Sequence, residues 1–373
     1  MAKRAPQHEL SWSVSRHGCW ETCRRAYYYT YYLSWLGWIP GAPAERRQAW
    51  LLKKMGRMET ESGRIVHAAL ERWCKGSWRA QPEPEAAMLR WAHEQLRVAY
   101  RESRDGAWRA RPGRRCRLAE HHYGEPQIDE ASGAAAAYGR RFVQRLQRCV
   151  HHFFSLPELA DVRALPVYRP PTQHGEHVSR SLFACRGSSG ARVLSCEELT
   201  GFEEAGCTVH VVLDLAFRDA SGTVHVLDWK TGERRASHRL QAAVYALFAR
   251  QRWRVEASAL SVRMVYLERG EVVVHRFSER ELERARSELR ASIEAMRALH
   301  FDAGEHTGCP DDFPPLELGP DTVPTCARCN FRELCGRSAL GSASERPPQQ
   351  RGEAAALAAG GERSRVDADP RRD

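Results

Sequence analysis

Between residues 208 and 299 the hydrophobic pattern changes period, and that change restricts the fold more than any other feature of the chain. "TVHVVLDLAFRD" (208–219) alternates as a half-buried strand does, "ASG" is a turn, and "TVHVLDWKT" (223–231) is a second strand. A helix is predicted at about 236–252, a second hairpin at 260–277 turning at Arg269-Gly270, and a long charged helix at roughly 278–299. Upstream, 62–75 reads as a helix with Val66, Ala69, Leu70 and Trp73 on one face. Residues 84–103 and 134–155 also read as helical, and 157–200 as loop-rich. Hairpin, helix, hairpin, flanked by helices, predicts an α/β fold around a central mixed sheet. A chain of 373 residues, 42% hydrophobic, can bury one large core or two smaller ones.

A net charge of +10 favours polyanions such as nucleic acid, although solubility alone accounts for a basic surface equally simply. The balanced, Gly/Ala/Pro/Ser-rich stretch 338–373 predicts a disordered tail, so the excess charge belongs to the folded part. No run of about 18 apolar residues occurs, which predicts no membrane-spanning helix. The N-terminal "MAKRAPQHELSWSVS" lacks the apolar core of a secretion signal. A cytoplasmic chain with reduced cysteines is therefore expected, and the 12 cysteines are not read as six disulfides. No G-x-x-x-x-G-K-[ST] phosphate loop exists, which excludes a nucleotide-driven motor of that type.

The 57 basic residues include lysine only at positions 3, 53, 54, 75 and 230. Asp228 and Lys230 share one face of their strand. A loop centred on Ser221 sets Asp214 opposite Asp228, with side chains roughly 5 Å apart at Cβ. Two carboxylates that close repel unless a cation lies between them, and hard ions such as Mg²⁺ want such an oxygen pair. Lysine there can orient or deprotonate a water, whereas arginine, always charged, is a poor proton acceptor. The plain alternative is a structural Asp–Lys pair at a strand end.

The stretch "VVLDLAF…VHVLDWKTG" resembles the core of the PD-(D/E)XK nuclease superfamily, in its RecB-like branch. The resemblance implies a restriction-endonuclease-like fold in which Asp214 and Asp228 hold Mg²⁺ or Mn²⁺ beside Lys230. Trp229 stands where the family usually has tyrosine, and Leu215 where a basic residue is common. RecB-like members carry Gln-x-x-x-Tyr on the next helix, matched by Gln241 and Tyr245, which share one helix face. They also carry Gly-x-x-x-His, matched by Gly63 and His67, and the resemblance makes His67 a further metal ligand. An acidic residue before the Asp214 strand also belongs to such a site; Glu197 and Glu198 both qualify.

Cys326, Cys329 and Cys335 form C-x2-C-x5-C, three thiolates that need a fourth. Spacing alone leaves a zinc site and an iron–sulfur cluster open, with Cys309 near enough to count. The resemblance extends to the iron–sulfur subgroup that includes AddB-type nuclease domains and CRISPR-adaptation nucleases, whose fourth cysteine lies far upstream. It implies a [4Fe–4S] cluster on Cys23, Cys326, Cys329 and Cys335, a staple between the chain's ends, with Cys19 competing for the first position.

The resemblance implies a metal-dependent deoxyribonuclease, exonuclease-like on single-stranded or end-containing DNA, serving repair, recombination or defence with a helicase or similar partner. The alternatives are a catalytically silent DNA-binding or scaffolding subunit, and a zinc-stapled protein whose Asp-x-Lys is structural. The loop 101–117 holds seven arginines. Trp108, Arg109, Arg111, Arg114 and Arg115 are its candidate DNA contacts, against a solvated charged segment as the plain reading. One nuclease domain over 1–336 is expected: an N-terminal segment 9–60, an inserted helical region 62–200, the catalytic sheet and helices 205–300 and the cysteine segment 301–336. The tail 337–373 follows it.

Overall fold

The computed structural model describes residues 7–76, 84–166 and 190–343. It divides into two units, Met1–Glu317 and Leu318–Asp373. Of the predicted tail, residues from 344 onward lie outside the described residues, as do 167–189 of the loop-rich stretch. Ser338–Ala343, assigned to the tail from sequence, forms a short 3₁₀ helix.

In the first unit, a short strand β1 (Ser11–Trp12) leads into α1 (Val14–Thr22), α2 (Arg24–Tyr28) and α3 (Ala44–Lys53). The helical region comprises α4 (Met58–Lys75), α5 (Glu85–Arg104), α6 (Ala119–Tyr123), α7 (Ala134–Ser155) and α8 (Ala160–Arg163). Strands β2 (Arg192–Ser195), β3 (Glu198–Glu204), β4 (Cys207–Leu213), β5 (Leu215–Arg218) and β6 (Val224–Lys230) follow. Helix α9 (Ser237–Trp253), β7 (Leu260–Tyr266), β8 (Glu271–His275) and α10 (Glu279–Arg297) complete the core.

The strands form two sheets, ordered β1-β4-β3 and β2-β5-β6-β7-β8. Both are mixed: β1 runs parallel to β4 and β6 parallel to β7, while the remaining pairs are antiparallel. The architecture is thus the predicted α/β class, with the sheet divided in two. The single strand predicted at 208–219 breaks at Asp214, because β4 pairs with β3 in one sheet and β5 with β6 in the other. The stretch predicted as loop-rich to residue 200 contains β2 and the start of β3. Its Gly201 is needed for close pairing, since a Cβ there would meet the Val209 carbonyl oxygen at 2.6 Å.

Alternation on β6 explains how the site is carried. Leu227 and Trp229 enter a core shared with Val66, Leu70, Leu146 and Phe153 of α4 and α7. The Trp229 ring meets that of Phe153 nearly edge-on at 5.9 Å. Burying each such side chain contributes about 1.5–3 kcal/mol before conformational entropy is counted. Asp228 and Lys230 are thereby turned to the opposite face, toward α9. Arg145 of α7 ties the layers together, its Nε donating to Glu268 Oε2 at 2.7 Å just after β7.

Candidate active site

Asp214 belongs to two ladders at once. Leu215 pairs with Leu227, so one further step of the same register sets Asp214 opposite Asp228, as predicted from Ser221. Glu198 pairs with Leu213, so one further step of the other register sets Glu197 opposite Asp214. Two backbone anchors support this: the Glu197 N–H donates to the Leu213 carbonyl at 2.8 Å, and the Trp229 N–H donates to Asp214 Oδ2 at 2.5 Å. Glu197 adopts a left-handed backbone conformation (φ 49°) between β2 and β3.

His67 reaches the same point from α4. Its Nδ1 is 3.2 Å from Asp214 Oδ1 and 3.4 Å from Glu197 Oε1. His67, Glu197 and Asp214 each offer one ligand atom, all within 4.8 Å of one another, and no other such group of three occurs among the described residues. Of the two acids left open from sequence, Glu197 joins this group and Glu198 does not. Gly63, one turn before His67, lets α4 come close: a Cβ there would lie 2.8 Å from Thr231 Oγ1, beside Lys230.

On the α9 side, Lys230 Nζ lies 2.6 Å from Asp228 Oδ2 and donates to Gln241 Oε1 at 2.8 Å. Gln241 Nε2 and the Tyr245 hydroxyl each donate to Asp228 Oδ1 at 3.0 Å. Gln241 Nε2 also lies 2.7 Å from the Tyr245 hydroxyl oxygen. Asp214, Asp228, Lys230, Gln241, Tyr245 and His67 are therefore linked in one continuous cluster.

Burial, together with the neighbouring Asp228 charge and against the pull of His67, pushes the Asp214 carboxyl up to about 6. Burial alone would lower His67, but Asp214 and Glu197 outweigh it and hold the imidazole well above its ordinary value. Burial and Asp228 keep Tyr245 protonated, as a donor. Among the described residues, the buried oxygens Glu197 Oε1 and Asp228 Oδ2 accept no aligned hydrogen bond and are met only as ion pairs, by His67 Nδ1 at 3.4 Å and Lys230 Nζ at 2.6 Å. Acceptors buried without donors are costly unless a cation meets them. An oxygen-rich set with one imidazole suits Mg²⁺ or Mn²⁺.

The five residues picked out in the basic loop are elsewhere. Arg109, Arg111, Arg114 and Arg115 are exposed. Arg114 and Arg115 line a cleft of about 650 Å³ with Lys54, Arg64 and Arg117, where Arg115 pairs with Glu102. Trp108 is half-buried, and the guanidinium of Arg117 lies 4.0 Å from its ring centre. That face of the indole is occupied by a cation, so the open stacking platform read from sequence is partly covered.

In the first unit, Cys23 caps α2, its Sγ accepting the Ala26 N–H at 3.5 Å. The Cys19 thiol is pushed up to about 11, chiefly by burial. In the second unit, α11 (Val323–Ala327) carries Cys326, whose Sγ accepts from Arg337 Nη1 at 3.0 Å. Cys329 Sγ accepts the Phe331 N–H at 3.4 Å.

Glu197 was within reach of the sequence. Folding "EELTGFEEAGCTVHVVLD" about Ala205-Gly206, both at positive φ, pairs Glu197 with Asp214. The signal was the Gly206 turn. No helix among the described residues is long and apolar enough to cross a membrane.

A sequence model of the PD-(D/E)XK nuclease superfamily matches residues 11–336. No curated protein matches the chain.

Proposed function

The chain belongs to the PD-(D/E)XK nuclease superfamily, and from that premise we propose that it is a metal-dependent deoxyribonuclease of the RecB-like branch. Its proposed substrate is single-stranded or end-containing DNA, cut in an exonuclease-like manner within repair, recombination or defence. The observation that carries this reading is the convergence on Asp214 of two ladders and one helix, which gathers His67, Glu197 and Asp228 around it.

His67, Glu197, Asp214 and Asp228 would hold the divalent cation, and the two acceptors without hydrogen bonds support that assignment. When bound, such a cation polarises the scissile phosphate and lowers the pKa of a water. Lys230 positions or deprotonates the attacking water and offsets charge on the phosphate. Gln241 fixes both Lys230 and Asp228, so the amine and the carboxylate keep one relative geometry. Tyr245, held protonated, donates to Asp228 and prevents that carboxylate from swinging away. Asp214 Oδ2, tied to the Trp229 N–H, leaves Oδ1 for the site.

Cys23, Cys326, Cys329 and Cys335 are the proposed ligands of a [4Fe–4S] cluster with a structural role. The C-x2-C-x5-C spacing of Cys326, Cys329 and Cys335 supports ligation, and the Cys19 thiol, pushed up to about 11, supports the choice of Cys23. Anaerobically purified protein should be brown; colourless protein with stoichiometric zinc would overturn the cluster. The family match, which runs to residue 336, supports one nuclease domain over 1–336. Arg109, Arg111, Arg114 and Arg115 would add salt-sensitive backbone affinity.

The test is cleavage of end-labelled single- and double-stranded DNA with Mg²⁺ or Mn²⁺, beside Lys230→Ala. Metal-dependent cleavage lost in the variant, with DNA binding retained, is expected. Intact DNA under all these conditions would leave the chain as a DNA-binding or scaffolding subunit.

A further inference from the structure

Next to the acidic cluster lies an apolar step that its metal chemistry does not use. Leu199 and Val212 are directly opposed partners in the β3–β4 ladder, 74% and 38% exposed. The ladder position two residues before Leu199 is Glu197, and the one two residues after Val212 is Asp214. Both acids stand just past the strand ends, where Glu197 turns left-handed and the chain changes sheets, so the apolar pair adjoins the cluster in ladder order. Isolated exposed apolar residues are ordinary, but these two are in register and line a groove of about 540 Å³. The same groove is lined by Gln241 and Tyr245, which both contact Asp228, and is therefore continuous with the cluster.

Its other rim carries Arg235. The flanking Arg234 and Arg239 are paired with Glu271 and Glu281, whereas Arg235 has no carboxylate partner among the described residues. An apolar floor, an uncommitted guanidinium and a junction with an acidic, cation-seeking cluster match a base and the two phosphates that flank its nucleoside in a strand, one of them scissile.

We propose that this groove receives the unpaired nucleotide adjoining the scissile phosphate of a DNA strand, with its base laid on Leu199 and Val212 and its next phosphate met by Arg235. The inference rests on the nuclease function proposed above and adds to it a basis for strand preference. A base inside a duplex has both faces covered by its neighbours and cannot offer one to Leu199. The strand must therefore be single or frayed at that position.

The experiment is fluorescence anisotropy in EDTA, where no divalent cation drives cleavage. The probes are a single-stranded oligonucleotide and its abasic counterpart with the same phosphates. Wild-type protein should prefer the base-bearing strand, and Leu199→Ser/Val212→Ser should narrow that preference by about tenfold, the scale of losing one base contact. Arg235→Ala should weaken both probes equally and reduce the salt slope by about 0.7. Exposed apolar side chains contribute little to folding, so unfolding midpoints should match the wild type. An unchanged preference in the double variant overturns the proposal. Cleavage assays with Mn²⁺ separate the two ideas. An inactive wild-type protein refutes the nuclease function, and an active one with unchanged preference in the variant refutes the groove alone.

Discussion

Asp214 stands opposite Asp228 across the β5–β6 hairpin, and its Oδ2 accepts the N–H of Trp229, the residue after Asp228. The bond clamps two buried carboxylates in a geometry that their repulsion opposes. In the metal-free protein the His67 imidazolium supplies the compensating charge. A divalent cation would supply more. Mn²⁺ should therefore raise the unfolding midpoint, with about 2.7 kcal/mol of stabilisation at a hundredfold excess over Kd. Asp214→Asn keeps an acceptor for Trp229, so its metal-free midpoint should stay near that of the wild type while the Mn²⁺-dependent rise disappears. A rise that persists in the variant would place the cation elsewhere. The measurement is thermal unfolding with and without Mn²⁺.

Lys230 separates charge from chemistry. Its Nζ contacts both Asp228 and Gln241, and arginine could satisfy both as a counter-ion. If the amine handles a proton or a compact charge at the phosphate, Lys230→Arg should be nearly as damaging as Lys230→Ala. Each should cost roughly 10²–10⁴-fold in cleavage rate, the usual range for a positioned acid–base group. DNA affinity should stay within about threefold. Substantial activity in the arginine variant would reduce Lys230 to a counter-ion.

Much of this geometry was legible in sequence because it depends on period-2 alternation and on one turn. Ser221 as the hairpin centre placed Asp214 opposite Asp228, and Arg269-Gly270 placed the β7–β8 turn. Helix 134–155 was read with the bounds that the structure gives, since Phe142, Leu146, Val150 and Phe153 hold one face. What was missed depends on partners that local pattern does not encode. Nothing in "VVLDLAF" announces that the chain changes sheets at Asp214, because β4 and β5 have equally apolar strand sequences and differ only in whom they pair with. Trp108 looked free because the residue that covers it, Arg117, lies nine positions away across a turn.

Gly63 offers a test in which two effects oppose. Alanine in a helix interior is favoured over glycine by about 1 kcal/mol, and α4 should gain from Gly63→Ala. The new Cβ would stand 2.8 Å from Thr231 Oγ1, however, so Thr231 or α4 must shift. Thr231 follows Lys230 directly, and displacements of this size at a reacting centre can cost about 10²-fold. Expected is a large loss of cleavage with an unfolding midpoint close to the wild type. A variant that loses stability and activity in proportion would show that Gly63 matters only for packing.

Acid should unfold the protein partly through His8. Its ring is 5% exposed and packed against Tyr32, Trp35 and His300, and its Nδ1 has no hydrogen-bond partner among the described residues. Burial first, then the charges of Arg16 and His300, lowers it to about 4, while the nearby Asp302 accepts its backbone N–H. The unfolded chain titrates this group near 6.5, so between about 6.5 and 4 the unfolded state binds more protons. Stability is then complete above pH 6.5 and falls as the pH drops toward 4, by about 2 kcal/mol after allowance for solvent screening. Burial also lowers His17, His93, His121, His238, His275 and His300, which act in the same direction, whereas the raised Asp214 carboxyl binds a proton in the folded state and opposes them. The difference between wild type and His8→Phe isolates the single group, since phenylalanine fills the same aromatic surroundings and cannot be protonated. Urea unfolding at pH 7.5, 5.5 and 4.5 should give curves that diverge with acidity, the variant holding more of its stability. Parallel curves would mean that His8 is not held neutral in the folded protein.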